Sequence, residues 1–249
     1  MSDTDFIKWI ASLRQTGEKE YLQNENALKD LKEKQTKLND ILMISGGLAA
    51  AGMLVSSPAA LVASASTYFA LEASITVDRL VAVIEMLLTA FSGEGITITP
   101  CVKTDEGLID LLVRMPDRRT FAFMLRSKGD SLVKWRGDRQ EFYVSTRKKG
   151  GKKNNKWADL LKLSQRLNAA TLLLKKQKNM LVGSSNTERN KITVKAIVLT
   201  SKTRVDPNND ESVFVNFGDC KVLRVKTESV LHIVNQSDLI NFLTLTEKS

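Results

Sequence analysis

The chain has 249 residues, 43% of them hydrophobic, which suffices to bury a core in one domain with an appendage or in two small domains. Residues 1–100 carry 8 Lys or Arg against 12 Asp or Glu, whereas residues 101–249 carry 29 against 16, a net charge of +13. A basic part of this kind indicates nucleic acid, an anionic membrane surface or a solvated basic face. Two cysteines without ligand spacing argue against a disulfide scaffold or a zinc cluster. The single histidine, His232, lies in an apolar run and argues against a His-dependent triad.

Residues 1–40 predict an amphipathic helix that is interrupted near Gly17. Apolar residues, among them Phe6, Ile10 and Leu13, recur at helical spacing between charges of both signs. Such a helix packs on its own domain or pairs with a second copy as a short coiled coil, so the N-terminal helices could make a homo-oligomer.

Residues 41–95 predict an apolar helical hairpin. From Ile41 to Leu71 the chain runs for 31 residues without a charge, and Ser56-Ser57-Pro58 marks a turn within this run. We favour a hairpin inserted in a membrane, and a soluble hairpin with closely packed Ala and Gly faces is the alternative. If it inserts, the N-terminal helix and the basic domain lie on one side of the membrane, and the Lys and Arg excess of the basic domain places that side in the cytoplasm. Otherwise the protein is cytoplasmic.

Residues 96–249 predict an α/β domain. Short β-branched runs indicate strands at 96–102, 108–115, 121–126 and 141–146, followed by a basic loop at 147–156 and a long helix at 157–177. Further strands are predicted at 192–200, 213–217, 220–225 and 230–234, and a helical turn closes the domain. Strands, one long helix and strands again predict a layered α/β arrangement.

The order of residues from Glu106 onward resembles the nuclease-related domain (NERD) family, a branch of the PD-(D/E)XK restriction-endonuclease-like fold. The resemblance covers about residues 100–245 and rests on "EGLIDLLVRMPDRRTFAFMLRSKG", Trp135, "KKNNKW", Gln165 and "VKAIVLTSKTRV". It implies a mixed sheet with a long helix, preceded here by the all-α N-terminal region.

The resemblance also implies a metal site built from a carboxylate on one strand and Glu-x-Lys on the next. Asp110 falls at the first carboxylate, with Glu106 four residues upstream, while Met124 and Arg126 take the glutamate and lysine positions. A thioether cannot replace a hard oxygen at Mg²⁺, and Arg126 stays protonated, which suits holding a phosphate. Glu141 is the nearest candidate for a relocated carboxylate. Otherwise Asp110 lies at an edge or pairs with a base such as Arg126.

Three functions follow as expectations. The first is a NERD-like module with an inactive nuclease site that binds nucleic acid, DNA without sequence preference, and needs no cofactor; its N-terminal helices tether it to a membrane or a partner. The second is an active Mg²⁺-dependent endonuclease with Asp110 as metal ligand. The third is a membrane scaffold whose basic domain faces lipid or an acidic protein. The predicted phosphate contacts of the first are Arg126, Lys128, Lys148, Lys149, Lys152 and Lys153.

Overall fold

The computed structural model describes residues 22–53, 58–117, 119–148, 151–157, 159–176, 194–226 and 229–246. Within these ranges the side chains of residues 45–67, 69, 147, 148, 151–154, 159–162, 171 and 173–176 are not described. The chain divides into two compact units, Met1–Thr89 and Ala90–Ser249.

The first unit contains two long helices, α1 (Asn24–Met53) and α2 (Pro58–Ala90). Pro58 is the first residue of α2, a position where a proline costs the helix no hydrogen bond. Leu31 and Leu38 on α1 are buried, and so are residues 70, 77 and 84 on α2. Both sets repeat every seven residues, as expected for two helices that pack side by side.

Polar contacts fix the direction of this helix pair. Lys32 Nζ lies 2.6 Å from Glu85 Oε1, and Gln35 Nε2 donates to Asp78 Oδ1 at 2.7 Å. Residues farther along α1 thus meet residues earlier on α2, so the helices are antiparallel. Among the helices of the described residues, none combines the length and the apolar stretch that a membrane crossing requires. The prediction of an inserted hairpin therefore finds no support. Two helices do lie on either side of residues 54–57, but α1 runs through the predicted boundary at residue 40, and residues 1–21 of the predicted N-terminal helix lie outside the described residues.

The second unit is a mixed α/β structure with two sheets. Its elements are, in chain order, β1 (Thr97–Thr104), β2 (Gly107–Arg114), β3 (Thr120–Arg126), β4 (Ser131–Arg136), β5 (Glu141–Lys148), β6 (Gly151–Lys156), α3 (Asp159–Lys176), β7 (Val194–Leu199), β8 (Thr203–Val205), β9 (Phe214–Phe217), β10 (Cys220–Lys226), β11 (Val230–Asn235) and α4 (Leu239–Leu245). The first sheet has seven strands in the order β1-β2-β3-β7-β11-β10-β9, and the second has four in the order β6-β5-β4-β8.

The chain leaves the first sheet for the second at two places, from β3 to β4 and from β7 to β8, and each pair of strands is adjacent in its sheet. Strand β7 runs parallel to β3 and to β11 in the first sheet, and β8 runs parallel to β4 in the second. Helix α3 supplies the crossover before β7, as parallel neighbours require, and packs on β1, β2, β3 and β7. Strand β3 is fully buried from Phe121 to Leu125, so the candidate residues at its end project from a rigid core.

The predicted mixed α/β domain is confirmed, and one of its predicted loops is wrong. A basic loop was expected at 147–156, but its described residues, 147–148 and 151–156, complete β5 and make up β6, and the two strands pair as far as Lys148 and Gly151. Strands β4 and β8 were not predicted. Strand β6 has the sequence "GKKNNK", without one apolar residue, so its backbone hydrogen bonds to β5 hold it and its intrinsic preference does not.

Candidate functional site

Asp110 and Arg126 form an ion pair across two neighbouring strands of the first sheet. Strands β2 and β3 are antiparallel with Leu111 opposite Phe123, so the alternation of side chains places Asp110, Met124 and Arg126 on one face. Arg126 Nη1 lies 2.6 Å from Asp110 Oδ2. The same carboxylate oxygen accepts a hydrogen bond from the backbone N–H of Leu125 at 2.7 Å. The side chains are 15% (Asp110) and 24% (Arg126) exposed, so the pair is largely withdrawn from water.

The regular strand pairing is interrupted at Asp110 on both sides. Toward β3, the paired register ends at Leu111 and Phe123, and the next N–H, that of Leu125, bonds to the Asp110 side chain. Toward β1, the register omits the position opposite Asp110, which is Cys101 with a φ of 55°. A non-glycine residue in this left-handed region costs on the order of 1–3 kcal/mol, and such strain concentrates at functional sites.

The described carboxylates do not assemble into a metal site. Met124 is fully buried next to the Asp110–Arg126 pair. Glu106 is exposed in the turn between β1 and β2. Glu141 begins β5 in the second sheet, where its carboxylate pairs with Lys156 Nζ and accepts from the Tyr143 hydroxyl at 2.8 Å. Among the described residues, no group of three or more His, Cys, Asp or Glu is placed to hold a metal ion.

The two partners of Glu141 also set its ionisation. The hydrogen bond from Lys156 is the main cause that lowers the pKa of Glu141, and the bond from Tyr143 adds to it. Glu141 is thus a carboxylate that is held ionised by its neighbours within the second sheet. The described contacts engage it there and provide no sign of the relocated metal ligand.

The segment after β3 is anchored by one buried threonine. Thr203, fully buried in β8, accepts from the backbone N–H of Lys128 at 2.7 Å and donates to the carbonyl of Gly129 at 2.9 Å. Gly129 has a φ of 67°, a conformation that favours glycine. Lys128 Nζ lies 5.9 Å from the ring centroid of Trp157, within cation–π range. The backbone of Lys128 is therefore fixed two residues after the end of β3, and its cation lies over Trp157.

Three of the remaining predicted phosphate contacts lie in β5 and β6, which pair with each other. Lys148 ends β5, and Lys152 and Lys153 lie in β6. Lys149 lies outside the described residues, and so do the side chains of Lys148, Lys152 and Lys153.

The second sheet brings together a set of cations that the sequence did not reveal. Lys134 and Lys156 both pair with Tyr143, so the three residues form one row across β4, β5 and β6. Arg136 pairs with Glu141 in the next row, and its guanidinium carbon lies 5.4 Å from the Tyr143 ring centroid. The opposite face of these strands is buried, with Val133, Phe142, Val144 and Val205 below 9% exposure. The cations therefore lie on the outer face, where Lys134, Arg136, Lys156 and Arg204 are all exposed.

The second unit is thus a mixed α/β structure whose candidate site is a closed acid–base pair beside a basic sheet face. Comparison with family models, with curated proteins and with solved structures gives no match to this chain.

Proposed function

We propose that this protein is a nucleic-acid-binding module, related to the NERD branch of the PD-(D/E)XK fold, whose nuclease site is closed. The observation that carries the proposal is the state of Asp110. Its carboxylate bonds to Arg126 and to the Leu125 N–H, and the neighbouring position on its face is the buried Met124. An ion pair stands where a nuclease of this fold needs carboxylate oxygens for a metal ion.

The strand pairing supports the alignment on which the resemblance depends. That alignment requires the first carboxylate and the Glu-x-Lys positions to face each other on adjacent strands. The β2–β3 register ends at Leu111 and Phe123; its continuation by one residue places Asp110 and Met124 on one face, and Arg126 follows on that face. Residues matched by order in the sequence alone are therefore neighbours in space, as the motif needs.

The residues that are present do not fit Mg²⁺. This ion prefers carboxylate and water oxygens in near-octahedral geometry. The pair contains one carboxylate, that of Asp110, and Arg126 neutralises its charge. A guanidinium remains protonated at all relevant pH values, so Arg126 repels a cation and does not activate a water. The pair thus offers a metal ion one carboxylate that is already neutralised, and anion binding falls to other cations of the second unit.

The charge of the second part supports nucleic acid as the anion. Residues 101–249 carry 29 Lys or Arg against 16 Asp or Glu. Phosphate contacts by such residues release counterions, so binding weakens steeply with salt and requires no base recognition. DNA bound without sequence preference is the expected ligand.

The test is a binding and cleavage assay on the full chain. Labelled DNA is titrated with protein over a salt series, and supercoiled plasmid is incubated with protein with and without Mg²⁺ or Mn²⁺. We expect salt-sensitive binding that is independent of metal, and no nicking. Metal-dependent nicking that disappears in Asp110→Ala would overturn the proposal in favour of an active endonuclease. Absence of binding at low salt, with binding to anionic vesicles instead, would overturn it in favour of a membrane scaffold.

A further inference from the structure

We infer that the outer face of the second sheet, centred on Tyr143, is the surface on which the protein binds single-stranded nucleic acid. This inference rests on the proposed function and specifies its contact surface and its substrate class. We call this surface the Tyr143 face; it comprises Lys134, Arg136, Tyr143, Lys156 and Arg204.

The sheet holds these side chains in fixed relative positions. Lys134, Tyr143 and Lys156 occupy one row of cross-strand neighbours, and strands lie about 4.8 Å apart, so the two lysines flank the tyrosine at about 10 Å from each other. Arg204 extends the face on β8, where it pairs with Leu132 of β4. Because β4 lies between β5 and β8, the cations cover the whole width of the sheet from β6 to β8.

The charge of this face selects an anionic partner. The face holds four cations, and Glu141, the cross-strand neighbour of Arg136, adds one carboxylate beside them. Glu141 pairs with Lys156 and accepts from Tyr143, so it fixes the tyrosine ring and compensates one cation. Lys134, Arg136 and Arg204 remain as exposed positive charge in excess of the acidic groups of the face. A polyanion is the complementary ligand.

The tyrosine indicates unpaired bases. A base that is not stacked in a duplex can lie on an aromatic ring, and this stacking is indifferent to sequence. Tyr143 is half-buried at the centre of the cationic rows, and the guanidinium of Arg136 already lies over its ring at 5.4 Å. A guanidinium plane also stacks on bases, so Arg136 and Tyr143 together can receive a base while the surrounding cations contact phosphates. A duplex exposes no base face to this ring.

The Asp110–Arg126 pair competes poorly for the same role. Arg126 gives its Nη1 donor to Asp110 and to the carbonyl of Leu125, and its charge is compensated within the pair. Recruiting Arg126 to a phosphate would leave the Asp110 carboxylate, 15% exposed, without its counter-charge. The Tyr143 face requires no such rearrangement of a buried group.

The experiment compares variants of the full chain in fluorescence anisotropy with a labelled single strand and with the duplex of the same sequence. The first variant is Lys134→Ala/Arg136→Ala. Each phosphate contact contributes about 0.7 to the salt slope for a single strand, so the loss of two lowers the slope by about 1.4 and the affinity roughly 25-fold at about 0.1 M salt. The second variant is Tyr143→Ala, for which loss of one stacked base reduces affinity about 5-fold to 150-fold.

Matched controls separate this surface from general charge and from misfolding. Arg224→Ala/Lys226→Ala removes the same two charges, also two residues apart, from exposed positions of β10 in the first sheet. Tyr143→Phe keeps the ring and removes only the hydroxyl that bonds to Glu141. We expect the β10 variant to bind the single strand as the wild type does, and Tyr143→Phe to recover affinity that Tyr143→Ala loses, because it retains the stacking ring. Thermal unfolding of each variant shows that the fold is retained.

The outcomes distinguish the inference from the proposed function. Loss of single-strand affinity confined to the two Tyr143-face variants, with weaker duplex binding by the wild type, supports the inference. Equal losses in the β10 control, or a duplex bound as tightly as the single strand by wild type and Tyr143→Ala alike, overturn it. Single-strand binding that is unchanged in both Tyr143-face variants also overturns it and leaves the proposed function standing. No binding of any nucleic acid at low salt refutes the proposed function itself.

Discussion

The ion pair between Asp110 and Arg126 should stabilise the second unit, and substitution of Arg126 tests this contribution. In Arg126→Met the guanidinium is lost while much of the side-chain length remains. Asp110 then keeps only the Leu125 N–H, although its side chain is just 15% exposed. Removing one partner of a fully buried pair costs about 3–5 kcal/mol, and residual access to water reduces this, so we expect a loss of about 2–3 kcal/mol.

The reverse substitution should cost less. In Asp110→Asn the amide oxygen still accepts from the Leu125 N–H, and the longer Arg126 side chain, 24% exposed, can turn its charge toward water. We expect a loss of about 1 kcal/mol. The double variant Asp110→Asn/Arg126→Met leaves no unpaired charge. Its loss should therefore fall short of the sum of the two single losses by about 1–2 kcal/mol.

Guanidinium unfolding followed by tryptophan fluorescence measures these differences. Trp135 and Trp157 both lie in the second unit, so a Trp9→Phe background confines the signal to that unit. The three variants and the background protein form one thermodynamic cycle. If the losses add to within about 0.5 kcal/mol, the two residues are not coupled and the closed site is refuted.

Three further predictions concern groups around the site and in the core. Thr203→Val removes the buried hydroxyl that holds the segment after β3, and the unsatisfied backbone groups should cost about 2–3 kcal/mol, whereas Thr203→Ser should cost less than half of that in the same unfolding assay. Burial lowers the pKa of His232 to about 4, from an unfolded value near 6.5. The contribution of the neutral imidazole to the free energy of unfolding is therefore complete above pH 6.5 and is lost as the pH falls toward 4, by up to about 3 kcal/mol. His232→Phe should flatten this pH profile of chemical unfolding. Lys156→Ala removes the main cause of the lowered Glu141 pKa, so NMR titration should find that pKa raised, and an unchanged value would contradict the ion pair.

The sequence predicted the strands that bear apolar runs and missed those that do not. Strands β2 and β3 alternate little and are nearly all apolar, because both faces of the first sheet are covered at this point. In β4, "SLVKWR", burial alternates along six residues, with Ser131 and Val133 buried. So short an alternation does not distinguish a strand from a loop in the sequence. Strand β6 is entirely polar and exists through its pairing with β5. Such a strand is determined by its partner strand and not by the β propensity of its own residues, so local sequence does not predict it.

The candidate site could also be predicted only where the local sequence carries a signal. An aspartate within the apolar run "LIDLL" required a partner, and Arg126 was one of the partners considered, which the structure provides. The Tyr143 face could not be found from sequence, because its cations come from β4, β6 and β8, two of which are strands that escaped prediction and one of which was taken for a loop. Lys134-Trp135-Arg136 is the one local signal, since an alternation of cations about an aromatic residue predicts a strand with a basic outer face.

The two basic regions of the second unit differ in what their charges can do. At the end of β3 the charge of Arg126 is compensated by Asp110, and Met124 is buried, so this pair contributes little net positive field. On the second sheet most cations face water without a buried acid to hold them, and their attraction for a polyanion is undiminished. Under the proposed function, the contact with nucleic acid therefore lies on the second sheet and not at the Asp110–Arg126 pair. The salt slopes of the β4 and β10 double variants test this location directly, because only contacts made in the complex contribute to the slope.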